Sequence, residues 1–154
     1  MQVTRAGEYA VIGLMYLARQ PVGRTVMIEE ISEAEKVPRS FLAKIFQSLV
    51  KGGLVCSHRG ARGGFSLAKP TTEINLLQIF QCAERAFALQ KCVTSDPHCV
   101  VADDRLRSCG LCGVFAEAQF RVNEVFARTT LEDLLRRHAL HATAAPRPAV
   151  TQGA

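Results

Sequence analysis

The chain has no tryptophan, and aromatic residues make up only 6% of its 154 residues. Its longest uninterrupted apolar runs are a few residues, whereas a membrane-spanning helix needs about 20. The first five residues carry no apolar stretch and no small-residue cleavage site of the kind that ends a signal peptide. Hydrophobic residues nevertheless make up 48% of the chain, which excludes wholesale disorder. We therefore expect a soluble, cytoplasmic protein with no membrane partner.

Signatures of catalysis are also missing. We find no Ser-His-Asp arrangement, no phosphate-binding loop and no paired-carboxylate site. One alternative is thiol chemistry at Cys109 and Cys112, because a CxxC pair at a helix start can have a lowered pKa. No thioredoxin-like strand order surrounds this pair, so we expect a protein that is not an enzyme and has no small-molecule substrate.

Positive charge is concentrated in the first half of the chain. Residues 1–70 hold ten Lys and Arg against five acidic residues, whereas residues 71–154 hold nine of each. Within Lys36 to Pro70 there are seven basic residues and no acidic one. Solvated surfaces usually mix the two signs, so this stretch indicates a polyanionic partner.

Apolar periodicity predicts three helices, over 5–19, 26–35 and 38–51. Thr25 is a candidate N-cap for the second helix, and Pro38 suits the first position of the third. Two short strands follow, over 54–58 and 64–68, joined by a glycine-rich hairpin tip. This order is that of a winged helix-turn-helix, so we expect a mainly α fold with a small β-hairpin wing and a DNA-binding domain over 1–70.

The second half of the chain predicts a linker helix over 75–87, a cysteine loop over 90–112 and a long helix over 111–128. A short terminal helix to His138 and a disordered tail over 139–154 complete it. Apolar and small residues on the long helix recur at spacings of three and four, as in a coiled coil: Phe115, Ala118, Val122, Val125 and Thr129. We expect a second subunit to cover them, which predicts a homodimer with a dimerisation helix in the domain over 71–138.

The third helix is the expected recognition helix for double-stranded DNA, and its start is expected to contact the bases. The second helix of a helix-turn-helix enters the major groove with its N-terminal residues facing base edges. Arg39 and Ser40 are the polar candidates there, and Lys44, one turn on, could reach a phosphate or a guanine edge. Phe41 and Leu42 are assigned to the core.

The hairpin tip is the second expected DNA contact. Arg59 and Arg62 project from a glycine-rich turn that includes Gly63 and can approach the DNA backbone closely. Arginines on such a wing suit a narrow, electronegative minor groove. The glycines also permit the positive φ angles of a tight hairpin, but this does not explain two arginines at the tip.

Four cysteines fall within 21 residues: Cys92, Cys99, Cys109 and Cys112. Gathered thiolates repel one another, and a bound cation relieves that repulsion. Soft thiolates favour zinc, Cu(I) or an iron–sulfur cluster. Zinc sites usually pair two close CxxC knuckles, and only one is present, so the spacing favours a cluster but leaves zinc open. The other cysteines, Cys56 and Cys82, are expected to be small buried hydrophobes.

Several segments resemble the Rrf2 group of bacterial winged-helix regulators, which includes IscR, NsrR and RirA. They are the opening MQVTRAGEYA, the segments SFL and LVKGGLV, the wing RGARGGF, the cysteine loop and TLEDL, which together cover about residues 1–138. The resemblance implies a homodimer joined by the long helix, with an iron–sulfur cluster in each subunit beside the partner's DNA-binding unit.

By the same resemblance, Cys92, Cys99 and Cys109 match the three cluster cysteines. IscR-like members place a histidine three residues after the third cysteine, where this chain has Cys112. NsrR-like members use a carboxylate of the partner's first helix, where this chain has Glu8. The fourth ligand therefore lies between Cys112 and Glu8, and the cluster is either [2Fe-2S] or [4Fe-4S].

The sequence thus predicts a transcription regulator whose cluster senses iron, redox state or nitric oxide and sets operator affinity. The alternative is a winged-helix DNA-binding protein with a structural zinc site and no sensing role.

Overall fold

The computed structural model describes residues 4–60, 63–84, 89 and 111–143, and it describes only the backbone at 111–112 and 141–143. Within these residues the chain is mainly helical, with one two-stranded antiparallel sheet, which confirms the predicted fold class. No helix among them is long and apolar enough to cross a membrane. The elements are, in order, α1 (Arg5–Ala18), α2 (Ile28–Glu35), α3 (Arg39–Lys51), β1 (Val55–His58), β2 (Gly64–Leu67), a 3-10 turn (Thr71–Glu73), α4 (Leu76–Ala83), α5 (Leu111–Arg128) and α6 (Leu131–Thr143).

The helix-turn-helix lies where the periodicity predicts it, with two differences at its helix starts. The predicted N-cap Thr25 does not cap α2, because Val26 is drawn into a β-bridge with the wing and the cap is Met27. Pro38 is the N-cap of α3 rather than its first residue. Between the helices Lys36 adopts a left-handed conformation with φ of 56°, which turns the chain sharply.

The wing is a hairpin whose base is joined to the helix-turn-helix. β1 and β2 pair antiparallel, with Val55 opposite Leu67. Phe65 also exchanges two backbone hydrogen bonds with Val26, at 2.9 and 2.8 Å. Gly64 makes this approach possible, because its φ is 154° and a Cβ there would lie 2.5 Å from the Val26 carbonyl oxygen. The orientation of the wing is therefore fixed relative to α2.

One hydrophobic core joins both halves of the chain. Its side chains come from α1, α2, α3, β1, α4 and α6, and the largest fully buried ones are Phe46, Leu14, Ile31, Leu42, Leu49, Leu54, Ile74, Ile79, Leu131, Val26 and Val55. The Leu131 amide donates to the Ile74 carbonyl at 2.7 Å, and the Leu76 amide donates to the Thr129 carbonyl at 3.0 Å. Helix α6 therefore contributes to the same core as the helix-turn-helix.

The helices of the second half differ from prediction at their ends. α4 ends at Ala83, earlier than the predicted Phe87, because Glu84 is in an extended conformation. α5 has the predicted bounds, and α6 continues to Thr143, five residues beyond the predicted end at His138. Residues 139–143 are therefore helical and not part of a disordered tail. Most of the predicted cysteine loop and residues 144–154 lie outside the described residues.

Candidate nucleic-acid interface

Helix α3 has one buried face and one polar face. Leu42, Ile45, Phe46 and Leu49 are buried, which places the opposite side of the helix in solvent. That side carries exposed polar residues at helical spacing: Ser40, Lys44, Gln47 and Lys51. The predicted contacts Ser40 and Lys44 therefore lie on one exposed stripe that bears no acidic side chain.

Arg39 is exposed as predicted, but it is not free of charge partners. Its guanidinium forms an ion pair with the Glu29 carboxylate of α2 at 2.5 Å. The Arg39 side chain keeps 67% of its surface exposed and Glu29 keeps 44%, so the pair lies in water at the start of α3. Sequence reasoning missed this partner, because residues 29 and 39 lie on different helices.

Phe41 is predicted to be a core residue, but the structure places it at the surface. It is 43% exposed, and its ring packs edge-on against Tyr9 of α1 at a centroid distance of 5.8 Å. Leu42, which is also assigned to the core, is fully buried, so that half of the prediction is confirmed. The first turn of α3 thus rests on α1 through an aromatic pair at the surface.

The tip of the wing presents Arg59 to solvent. The turn is closed by a hydrogen bond from the Gly63 amide to the Gly60 carbonyl at 2.9 Å. Gly63 itself is packed tightly, because a Cβ there would lie 2.6 Å from the His58 carbonyl oxygen. Arg62 lies outside the described residues.

Polar contacts hold α1 and α2 together behind this face. The Tyr16 hydroxyl donates to Glu30 at 2.9 Å, and Arg24 pairs with the same carboxylate at 2.8 Å. The hydrogen bond to Glu30 raises the pKa of the Tyr16 phenol above its ordinary value. Arg19 pairs with Glu35 at 3.0 Å at the other end of α2.

The two cysteines outside the predicted loop have different surroundings. Cys56 is exposed on β1, so its assignment as a buried hydrophobe is wrong: along the strand β1 only Val55 faces inward. Cys82 is half-buried, and burial raises the pKa of its thiol. It lies so close to the end of α3 that a Cβ on Gly52 would be 2.1 Å from its Sγ atom.

Of the predicted cluster ligands, Cys92, Cys99 and Cys109 lie outside the described residues. Cys112 is the second residue of α5. Glu8 is exposed on α1, at the rim of a shallow apolar groove of about 360 Å³ lined by Val11, Ile12, Leu76, Phe80 and Leu134. Among the described residues, no hydrogen-bond or ion-pair partner contacts the Glu8 carboxylate. The Glu8 carboxylate is therefore exposed and unpaired within the part of the chain that the structure describes.

The long helix α5 packs on the rest of the described chain through only part of its surface. Phe126 contacts Phe80 of α4 at a centroid distance of 5.2 Å, and Gln119 is buried. Val114, Phe120 and Val125 are at least half exposed. The predicted seam is therefore exposed most strongly at Val125, while its members Phe115, Ala118, Val122 and Thr129 are half-buried.

Comparison with known proteins decides the family. A family model for Rrf2, described as an iron-dependent transcriptional regulator, matches residues 3–137. The chain belongs to the Rrf2 family. This confirms the resemblance drawn from the sequence motifs. Transcription regulators of the Rrf2 family bind DNA and are not enzymes, which also confirms the prediction of a regulator without catalytic activity.

Curated relatives of this Rrf2 protein are similar over most of their length. Protein aau3 of Rhizobium meliloti is 35% identical over 137 residues, which cover 88% of this chain and 86% of aau3. The HTH-type transcriptional regulator NsrR of Oceanobacillus iheyensis is 31% identical over 137 residues, which cover 88% of this chain and 90% of NsrR.

Solved structures share the fold of this Rrf2 protein. IscR of T. potens matches with a TM-score of 0.69 at 25% identity, covering 96% of this chain and 94% of that one. The global cysteine regulator CymR of B. subtilis matches with a TM-score of 0.71 at 23% identity, covering 89% of this chain and 98% of that one.

Proposed function

We propose that this Rrf2 protein is a homodimeric transcription regulator of the cytoplasm whose operator affinity is controlled by an iron–sulfur cluster, one per subunit, that senses iron, redox state or nitric oxide. The observation that carries the DNA-binding part is the exposed polar stripe of α3 beside the basic wing, in a chain that belongs to a family of DNA-binding regulators. The cluster part rests on the cysteine spacing and on similarity to NsrR and IscR.

In this proposal residues 1–70 read the operator. Ser40 and Lys44 face the major groove from α3, with Arg39 at its first turn. Arg59, Arg62 and Gly63 approach the minor groove or the adjacent phosphates from the wing. A symmetric dimer then binds half-sites whose centres lie one or more helical turns apart, each turn about 34 Å.

The donor set fits an iron–sulfur cluster, because it consists of cysteine thiolates with one carboxylate as an alternative fourth ligand. Cys92, Cys99 and Cys109 would hold the cluster, with Cys112 or Glu8 of the partner subunit as fourth ligand. When bound, the cluster supplies a centre that oxygen, nitric oxide or iron scarcity can alter or remove. If Cys92, Cys99 and Cys109 held one centre, they would be tied to one another, and loss of the centre would free their side chains.

The homodimer is supported by the apolar side chains that α5 leaves in solvent. Val114 and Val125 are more than half exposed and lie about three turns apart on the same face of this 18-residue helix. Such side chains commonly mark a surface that another protein covers. Covering them with a second copy of the same helix gives the two-fold symmetry that a palindromic operator requires.

Iron, zinc and acid-labile sulfide measured on anaerobically purified protein test the cluster. We expect iron and sulfide with a visible absorption spectrum, and a change in DNA affinity when the cluster is removed. Zinc at one per chain without colour or sulfide would favour the alternative of a structural zinc site. In Cys92→Ala, we expect a changed DNA affinity in a protein whose first 70 residues still fold. Unchanged cluster content and affinity in this variant would contradict the sensing role.

The DNA-binding face is tested by Arg59→Ala, with Arg136→Ala on α6 as a control that removes the same charge elsewhere. If Arg59 contacts a phosphate, its removal reduces the slope of log affinity against log salt by about one. Anisotropy titrations at several salt concentrations measure this slope on a duplex that the wild-type protein selects from a randomised pool. Equal slopes for the two variants would exclude the wing from the interface.

A further inference from the structure

The side chain of Glu84, at the end of α4, lies over the start of α1. Its Oε1 atom accepts hydrogen bonds from the Thr4 amide at 3.1 Å and from the Thr4 hydroxyl at 3.0 Å. Thr4 is the N-cap of α1, and its hydroxyl oxygen accepts a hydrogen bond from the Gly7 amide at 3.4 Å. A residue 80 positions away along the chain is thus joined to the capping residue of the first helix.

A glycine in α1 makes room for this contact. A Cβ on Gly7 would lie 2.5 Å from Glu84 Oε1 and 2.8 Å from the Phe80 ring. Any larger residue would therefore push Glu84 away from Thr4. Glycine weakens a helix, so its presence in the first turn of α1 is explained by the close approach of α4.

Electrostatics favours the same arrangement. The N-terminus of a helix carries a partial positive charge, and a carboxylate beside it is stabilised. Hydrogen bonds to an ionised acceptor are also stronger than those between neutral groups. The Glu84 carboxylate therefore acts at the start of α1 as a second cap, supplied by another helix.

After Glu84, the chain makes a further contact with α5 at Leu89. The Leu89 amide donates to the Gln119 side-chain oxygen at 2.7 Å, and Gln119 in turn donates to Asn123 at 2.8 Å. Gln119 is 6% exposed, so its amide is held in place. Cys92 comes three residues after Leu89. Two residues that precede Cys92 are thus held by other helices: Glu84 contacts the start of α1, and Leu89 contacts α5.

Helix α1 connects this attachment to the candidate DNA-binding face. Tyr9 packs against Phe41 in the first turn of α3, two residues from Arg39. Further along α1, Gly13 lies against the Phe46 ring. A displacement at Thr4 can therefore reach the start of α3 through side chains that are already in contact.

We propose that Glu84 is a positioning residue that fixes the start of α1 to the end of α4, so that a metal centre held by the cysteines that follow would set the position of α3 through α1. The inference rests on the proposed function only for the identity of that centre. Its structural basis is the contact of Glu84 with Thr4 and its close approach to Gly7.

The test compares Glu84→Ala and Glu84→Gln with Glu73→Ala, which removes an exposed carboxylate of the 3-10 turn. DNA affinity is measured with and without bound metal, on a duplex that the wild-type protein selects from a randomised pool. Couplings between sites are typically about 5- to 150-fold in affinity, and we expect the wild-type ratio to fall at least about fivefold in Glu84→Ala. Glu84→Gln keeps an oxygen acceptor and should recover part of the ratio, while Glu73→Ala should keep all of it.

Amide hydrogen exchange at residues 5–8 provides a readout that does not depend on DNA. In the wild-type protein we expect exchange there to accelerate on metal removal, and in Glu84→Ala to be fast in both states. A wild-type affinity ratio and a wild-type exchange response in Glu84→Ala would overturn the proposal. The proposal would also be overturned if the DNA affinity of the wild-type protein were the same with and without bound metal.

The two proposals fail in different ways. If the purified protein holds zinc and no iron, the same comparison is made between zinc-loaded and chelator-treated protein. A lost ratio in Glu84→Ala then supports the positioning role although the iron–sulfur proposal has failed. If the wild-type protein holds iron and Glu84→Ala keeps the wild-type ratio of DNA affinities with and without metal, only the positioning role is refuted.

Discussion

The Glu29 carboxylate and the Arg39 guanidinium form an ion pair at 2.5 Å that bridges the two helices of the helix-turn-helix. Both side chains are largely in water, so the pair adds little to stability, about 0–1 kcal/mol. Its consequence is for DNA binding, because it holds a negative charge beside a cation at the expected reading position. DNA must compete with Glu29 for Arg39.

We therefore predict that Glu29→Ala strengthens binding to DNA. The variant frees the Arg39 guanidinium for phosphate, so the slope of log affinity against log salt should become steeper by about one. Glu33→Ala removes the same charge from the exposed surface of α2 and is the matched control. Anisotropy titrations at several salt concentrations measure both variants. The prediction is refuted if the two slopes change equally, since the effect would then be one of net charge.

Two helical glycines should respond to alanine in opposite directions. A Cβ on Gly13 would lie 2.6 Å from the ring of Phe46, which is fully buried and also packs against Phe65 at a centroid distance of 5.0 Å. Gly13→Ala should therefore destabilise the protein by about 1–3 kcal/mol, as overpacked cores do. Urea unfolding of the metal-free protein measures the change.

Gly113 of α5 is the matched control for that experiment. No atom of the described residues lies within 4 Å of a Cβ built on it. Gly113→Ala should therefore stabilise the protein by up to about 1 kcal/mol, through helix propensity alone. Destabilisation of the two variants by similar amounts would show that close packing against Phe46 does not explain Gly13.

The sequence predicts this fold well where the signal is local. Periodicity finds α3 because Leu42, Ile45, Phe46 and Leu49 recur on one face, and glycines mark the hairpin tip. The errors come from contacts between distant residues. Val26 reads as the start of a helix but pairs with Phe65 in the wing, and Phe41 reads as core but packs on Tyr9 at the surface.

The candidate site follows the same rule. Exposed Ser40, Lys44 and Arg59 could be found from helix and hairpin position, since each needs only its own element. The partners Glu29 for Arg39 and Glu84 for Thr4 could not, because ten and 80 residues separate them and no local pattern records the pairing.

The start of α6 makes stability depend on acidity. Asp133 accepts hydrogen bonds from the Thr130 amide at 3.0 Å and the Thr130 hydroxyl at 2.7 Å, and the backbone bond followed by the side-chain bond lowers the pKa of its carboxyl. A lowered native pKa means that the contribution is fully present above the ordinary aspartate value, about 3.9, and is lost as the pH falls through the native value.

Asp133→Asn should therefore lose less stability than the wild-type protein when the pH falls from about 5 to about 3, because the amide does not titrate in this window. Glu117→Gln, at an exposed carboxylate of α5, is the control. Urea midpoints at the two pH values give the comparison. A pH dependence in Asp133→Asn as steep as that of the wild-type protein would show that this helix start does not contribute.

The last prediction separates the two candidates for the fourth cluster ligand. Cys112 offers a thiolate of the same segment, whereas Glu8 offers an exposed carboxylate on a different helix. A thiolate is the softer donor and suits iron–sulfur clusters better. We therefore expect Cys112→Ala to lose more iron and sulfide than Glu8→Gln, as measured in anaerobically reconstituted protein.

The opposite result would carry a different physical meaning. Glu8 can ligate a cluster of the partner subunit only within a dimer, so cluster retention would then rise with protein concentration as subunits associate. With Cys112 as ligand, each chain supplies the complete set, and retention should be independent of concentration. Dilution of reconstituted wild-type protein, followed by the visible spectrum, therefore checks the assignment without any substitution.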